Sequence, residues 1–445
     1  MSRRTTWLLG LAFVVLAVRL GHFVDRFAVN LVFWDQWDFL QGLFDDASLW
    51  ELFRRQHGPH RQGVANLLIA GEYALTGWNG RADAALAAIV MALTGLGGLW
   101  WVRRVTGSLT GWDVVVLLLF LTTTNSETYV GTPNLAHGPI PALCLVAFAL
   151  ACTITNVVWR CVAMCVANFF AVSGGFTFLL GAITLVVLLV MATAPQVKPG
   201  QRAVFAGGIV VAVLTMALFF HGYAFSPAVD CYQFPHPRPL DYLPFTGFVL
   251  LRPLGLEAGA SAWRQGLASL GAVLVVVGGA YATWRMLRAR GQSPLWNATC
   301  ALVGFVVLFA STAAVGRVCQ GLESASVPRY VPYVLPAALA GYGVLRSSAL
   351  DPRWQRALLV IVLGLALFKE LDASGETESV RVVAANKRLW RDCYLRHHDL
   401  ARCDAETAPV YPMPEATQLQ QKLDWLEARG YSFFQEKQRV LAQPR

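Results

Sequence analysis

Apolar blocks of membrane-spanning length recur along most of this 445-residue chain, and no other feature limits its fold so strongly. A helix needs about 20 apolar residues to cross the hydrocarbon core of a bilayer. Such blocks lie near 6–24, 82–101, 138–158, 176–193, 204–221, 266–284, 294–314, 331–346 and 355–371, with shorter ones near 112–124 and 161–173. Backbone polar groups in lipid must be satisfied within their own segment, so these blocks are predicted helices. Only 14% of the residues are charged, against about a quarter in soluble domains. The fold class that follows is an all-α polytopic membrane protein.

The basic residues set the orientation. Arg3 and Arg4 precede the first block, and Arg103 and Arg104 follow the second. The later clusters are Arg160, Lys198 with Arg202, then Arg285, Arg288 and Arg290, then Arg346, Arg353 and Arg356. Placing all of them in the cytoplasm closes at about eleven spans, with the N-terminus inside and the C-terminus outside. The first block has the charged start of a signal peptide but no small-x-small cleavage site before Asp25, so it reads as a retained anchor. The formal charge of +9 resides in these clusters. With no basic stripe interleaved with aromatics, it gives no indication of nucleic acid.

This topology exports 25–81, 125–137, 222–265, 315–330 and everything beyond 372. A transmembrane unit over 1–371 is therefore followed by a small helical domain over 372–445, where "ATQLQQKLDWLEARGYSFF" carries an apolar face at helical spacing. In the first exported segment, "SLWELFRRQHGPHRQGVANLLIAGEYALTGW" mixes apolar and polar residues as helices lying along the interface do. Cys144, Cys152, Cys161, Cys165 and Cys300 fall in apolar blocks as packing residues. Cys231, Cys319, Cys393 and Cys403 fall outside, and "CYLRHHDLARC" is compatible with a Cys393–Cys403 disulfide in an oxidising compartment. No CxxC pair or HExxH exists to hold zinc.

Chemistry-bearing residues gather in the exported segments. "FWDQWDFLQGLFDD" places Asp35 and Asp38 among Trp34, Trp37 and Phe39 just after the first block. They are either solvated loop acids with interfacial tryptophans or partly desolvated carboxylates fit to act as a general base. "RRQHGPHR" sets His57, His60 and Arg61 within about one helical turn, as a surface basic patch or an anion site. "GRVCQGLESASVPRYVPYVLP" supplies Arg317, Glu323, Arg329 and Tyr330 before a late span. Arg329 there is either a snorkelling residue or a phosphate contact at a helix N-terminus. The turn "TNSETYVGTPNLAHG" adds Asn125, Glu127, Asn134 and His137. Of these, Glu127 borders the same outer face as Asp35 and joins the two aspartates as a catalytic candidate.

An acidic first exported loop, a His/Arg element behind it and a late "RY" before a span resemble the GT-C glycosyltransferases, polytopic enzymes that use polyprenyl-phosphate-linked sugars. More closely, "WDQWDFL…HGPHR…TGWN", "SGGFTFLLGAITLVVLLV", "FFHGYAFSP" and "VPRYVPYVLP" resemble a bacterial group of that superfamily, in order across most of 1–370. One departure is Pro59, where related sequences tend to carry an acid before the His-Arg pair.

The resemblance implies a GT-C-like bundle in a bacterial inner membrane, with a periplasmic C-terminus and an outward-facing site. It implies a polyprenyl-phosphate-linked sugar as donor and an extracytoplasmic acceptor (a glycan, a lipid-linked saccharide or an exported protein such as a pilin). Asp35 is the first choice of base and Asp38 the second. Arg329 leads the donor-phosphate contacts, with Tyr330, Arg317, His57, His60 and Arg61 beside it. The resemblance fixes no cofactor, and it admits a divalent metal, Mg or Mn, at the first-loop acid. A transporter or flippase of a lipid-linked sugar is the alternative, but it would place ionisable residues and broken helices near the midplane, where only "VSGGF" stands.

Overall fold

The computed structural model describes residues 3–131, 134–225, 229–371, 374–410 and 416–442. Its helices begin with α1 (Arg3–Phe27), the short α2 (Gln36–Phe39), α3 (Gln41–Phe44) and α4 (Leu49–Arg54). A two-stranded hairpin, β1 (Gln56–His57) and β2 (His60–Arg61), precedes α5 (Gly63–Thr76). The bundle continues with α6 (Gly80–Thr106), α7 (Val114–Phe120), α8 (Pro139–Ala151), α9 (Val157–Val172), α10 (Leu179–Thr193) and α11 (Pro199–Phe220). Then follow α12 (Tyr242–Leu251), α13 (Ala262–Arg288), α14 (Pro294–Arg317), α15 (Val331–Arg346) and α16 (Pro352–Leu371). The tail comprises α17 (Ser374–His397), α18 (Leu400–Glu406), α19 (Ala416–Ala428), α20 (Ser432–Gln435) and α21 (Lys437–Leu441).

Helices α1, α6–α11 and α13–α16 correspond to the eleven apolar blocks of the sequence. Six of the described helices are long and apolar enough to cross a membrane unaided. Lipid must surround this bundle, because α1, α11, α13 and α16 turn Leu11, Leu214, Leu274 and Ile361 outward. The short helices α7, α8 and α15 are buried over most of their length. Protein rather than hydrocarbon surrounds most of their length, which is where broken backbone is tolerated.

Two boundaries differ from the sequence reading. The block at 138–158 ends at Ala151, because Asn156 accepts from the Val158 and Trp159 amides and starts α9 afresh. The segment 222–265 is more than a loop, since it contains α12, whose residues Pro244–Leu250 are all buried. Gly247 makes that burial possible: a Cβ there would stand 1.8 Å from the Ala268 carbonyl oxygen. The missing side chain lets α12 lie backbone-to-backbone on α13.

The tail packs onto the first connecting segment. Lys387 donates to the Val130 and Gly131 carbonyls at 3.2 and 3.1 Å and lies 5.0 Å from the Phe33 ring centroid. Burial holds its pKa down to about 7. Lys422 donates to the Trp37 carbonyl at 2.9 Å, and the Trp34 amide donates to the Val410 carbonyl at 2.7 Å. Disulfides join Cys393 to Cys403 and Cys231 to Cys319. Only the first of these pairings was read from spacing. The free cysteines Cys144, Cys152, Cys161, Cys165 and Cys300 are all buried.

Candidate active site

The stretch after α1 is shaped by its aromatics. Trp34 sits at φ 51°, a left-handed conformation that a bulky residue adopts only when its surroundings impose it. Phe33 N donates to Gln36 Oε1 at 2.9 Å, closing the turn into α2. Trp37 is fully buried and lies against Phe44, with ring centroids 6.1 Å apart. Asp35 stands at the N-cap position of α2, its side chain making no capping bond, and Asp38 lies within the helix, so one short turn held by Trp37 brings both carboxylates to one cleft.

His57, His60 and Arg61 lie on a hairpin rather than a helix, which corrects the one-turn reading. Gly58 (φ 55°) and Pro59 turn the chain, and His57 pairs with His60 across the ladder. Tyr223 Oη donates to the Pro59 carbonyl at 2.7 Å, and Gly175 N to the Arg61 carbonyl at 2.9 Å. Gly175 is obligatory here, since its φ is +57° and a Cβ would stand 2.4 Å from the Ala136 oxygen. "VSGGF" is therefore the seat of the hairpin.

Arg61 leaves the phosphate set. Its guanidinium donates to the carbonyls of Phe219 (2.8 Å), His221 (2.7 Å) and Arg54, which ties the hairpin to α4 and the end of α11. Its donors are spent on the backbone, and it does not line the cleft.

His60 instead points inward. Its ring lies 3.9 Å, centroid to centroid, from that of His137 and 5.2 Å from that of Phe176. Neither ring nitrogen of His60, nor Nε2 of His137, has a hydrogen-bond partner among the described residues. Burial pushes the His137 pKa down to about 3, and burial with neighbouring His137 pushes His60 well below its ordinary value. Both imidazoles are therefore neutral at physiological pH, and each offers one N–H and one acceptor. His57 is also lowered by burial, with Asp35 and Asp38 pulling the other way.

The cations come from the connection between α14 and α15. Arg329 Nη1 is 2.6 Å from Glu127 Oε1, and the Arg329 amide donates to Glu127 Oε2 at 3.3 Å. Burial opposes the charge on Arg329, but Glu127, with Tyr330 and Asp35, more than offsets it and raises the pKa. Glu127 thus holds Arg329, a role its sequence context did not reveal. Arg317 reaches Gln320 Oε1 at 3.3 Å and makes no ion pair among the described residues. It is the less compensated of the two.

Together these elements line a cleft of about 290 Å³. Asp35, Asp38, His57, His60, Glu127, Arg317, Arg329 and Tyr330 all border it. The sequence reading named Asn134 and His137 without giving them a role and missed Phe176 and Tyr333, which also border it. The cue for His137 was a histidine beside the glycine and proline that open α8. Among the described residues no three His, Cys, Asp or Glu side chains converge as a metal ligand set.

A second opening of about 290 Å³ adjoins the cleft at Asp35, Glu127 and Arg329. Phe33, Val130, Pro328, Val380 and Val383 make most of its wall apolar.

No family model matches this chain. No curated protein matches it either. Among solved structures it is similar to the crystal structure of ArnT from Cupriavidus metallidurans bound to undecaprenyl phosphate. The identity is 15% and the TM-score 0.44, covering 97% of this chain and 77% of that one.

Proposed function

We propose that this protein is a membrane glycosyltransferase of GT-C type, which moves a sugar from a polyprenyl-phosphate donor to a hydroxyl acceptor at the outer membrane face. The observation that carries the reading is one cleft, at the end of a lipid-embedded bundle, that brings Asp35 and Asp38 together with Arg317 and the Glu127-held Arg329. The outward assignment rests on the basic clusters at the other end of the helices. The Cys231–Cys319 and Cys393–Cys403 bonds, which persist in oxidising compartments, agree with it.

The apolar opening beside Arg329 suits a lipid phosphate, with the isoprenoid leaving toward the bilayer and the phosphate meeting Arg317 and Arg329. Arg317, which makes no ion pair among the described residues, is the leading contact, and Arg329 is held in place by Glu127. Uncharged His60 and His137 add N–H donors without adding charge. The acceptor oxygen attacks the anomeric carbon from the face opposite the phosphate. The bond from that carbon to the phosphate oxygen breaks, its electron pair stays on the polyprenyl phosphate, and the acceptor proton passes to Asp35. Asp35 borders both the cleft and the apolar opening, beside the anomeric carbon in this pose. The arginines stabilise the charge on the leaving phosphate.

The test is sugar transfer by purified protein from synthetic polyprenyl-phosphate hexoses and pentoses to glycans taken from the producing cells. Asp35→Asn should bind donor normally and lose roughly 10²–10⁴-fold in rate, the usual contribution of a positioned base. Near-normal transfer by that variant removes Asp35 from the mechanism.

A further inference from the structure

On the far side of Asp38 and His57 lies another space of about 520 Å³, walled by the first connecting segment and by the tail. Building on the transferase reading, we propose that this groove binds the acceptor, and that the acceptor is a glycan whose terminal sugar enters from the aqueous side.

Its lining is chosen for hydroxyls. Gln41 and Asp45 stand on one wall, joined by a 2.7 Å bond from Gln41 Nε2 to Asp45 Oδ1. Gln418 and Gln421 stand on the other, three residues apart on α19, with Trp425 one turn further on. Helix α19 buries Leu419, Leu423 and Leu426 on its opposite face, so its glutamine face is turned to the groove by packing. Neither Gln418 nor Gln421 is engaged by another described residue. A side-chain amide presents donors and an acceptor together, the pairing that neighbouring sugar hydroxyls require. Trp425 is wedged among Phe44, Trp78 and Tyr431 at centroid distances of 5.2, 5.1 and 5.5 Å, which fixes that wall. The volume falls within the ~300–1,000 Å³ of small-molecule sites.

Other acceptor classes fit less well. Peptides are held on sheet edges, in apolar grooves or by clusters of one charge; the charged residues here, Asp38, Asp45, Arg55 and Lys422, are of both signs and are interleaved with the amides. A lipid chain would find no apolar trough here, whereas the opening beside Arg329 provides one. The position also matters. The groove and the cleft share Asp38 and His57, so a sugar lying in the groove points its terminal hydroxyl into the cleft. Donor and acceptor would then approach from opposite sides, meeting between Asp35 and Asp38.

The experiment is saturation-transfer NMR on the full chain in detergent, with oligosaccharides released from the surface of the producing cells as probes. The wild type should bind at least one of them through its terminal residue. Gln418→Ala/Gln421→Ala removes two exposed amides and should weaken that binding about tenfold, the effect of two lost hydrogen bonds. Arg317→Ala should leave saccharide binding unchanged while weakening polyprenyl phosphate. Absence of saccharide binding by the wild type, or unchanged binding by the double variant, overturns the acceptor groove. Failure of the wild type to bind polyprenyl phosphate, with saccharide binding intact, would instead remove the donor reading and leave the groove standing.

Discussion

Two buried polar groups, Asp113 and His60, at opposite ends of the bundle, are treated in opposite ways. At the end rich in basic clusters, Asp113 is wholly buried and accepts from Tyr342 Oη at 2.6 Å and Arg346 Nε at 3.0 Å. The Thr110 amide donates to its other oxygen. This carboxylate is saturated, and it clamps the short α7 to α15. At the other end, His60 is also buried, but neither of its ring nitrogens has a partner among the described residues, and half-buried Arg317 makes no ion pair among them. An idle buried polar atom costs about 1–3 kcal/mol, so a fold retains several together only where something else fills them. A saturated cluster marks architecture, and an unsaturated one marks a ligand site.

The strongest way to break this contrast is at Asp113. Asp113→Ala leaves Arg346 as an uncompensated, nearly buried charge and should cost about 3–5 kcal/mol, read as a lower unfolding temperature in detergent. Arg317→Ala should do the reverse. It leaves the unfolding temperature close to wild type and weakens polyprenyl-phosphate binding about tenfold to a hundredfold, the loss expected for a charge-assisted hydrogen bond. Similar thermal losses in both variants would erase the distinction.

The smallest effect sharpens it. With the His137 pKa near 3 when folded and about 6.5 when unfolded, the unfolded chain binds more protons between those values. Stability from His137 is therefore full above about 6.5 and declines as pH falls toward 3, and His60 acts in the same sense. Donor binding should stay flat between about pH 6 and 8, because neutral imidazoles have no charge to lose there. A binding step near 6.5 would show that one of these histidines is charged in the cleft.

The bundle was legible because membrane insertion is a property of composition. A run of apolar residues and a flanking arginine carry their meaning locally, and so does the ten-residue spacing of Cys393 and Cys403. What escaped was either too short or too distant. "YLPFTGFVLL" is half a span, and nothing in its own letters reveals that Gly247 seats it on Ala268. Glu127 and Arg329 are 202 positions apart and Cys231 and Cys319 are 88 apart, so neither pairing has a sequence signature. Asp35, Asp38, Arg317 and Arg329 could be named because each stands beside a span end. Arg61 was misassigned because three backbone carbonyls in need of donors are invisible in sequence.

The bond from Lys422 to Trp37 closes a distance of 385 positions. A ribosome threads α1 to α16 into the bilayer before α19 exists, so a growing chain presents an open cleft with only one wall of its groove. The second wall therefore arrives late, with the docking of a segment made after all the spans. If the groove is the acceptor site proposed above, an unfinished molecule cannot hold an acceptor, and synthesis itself acts as a safety catch.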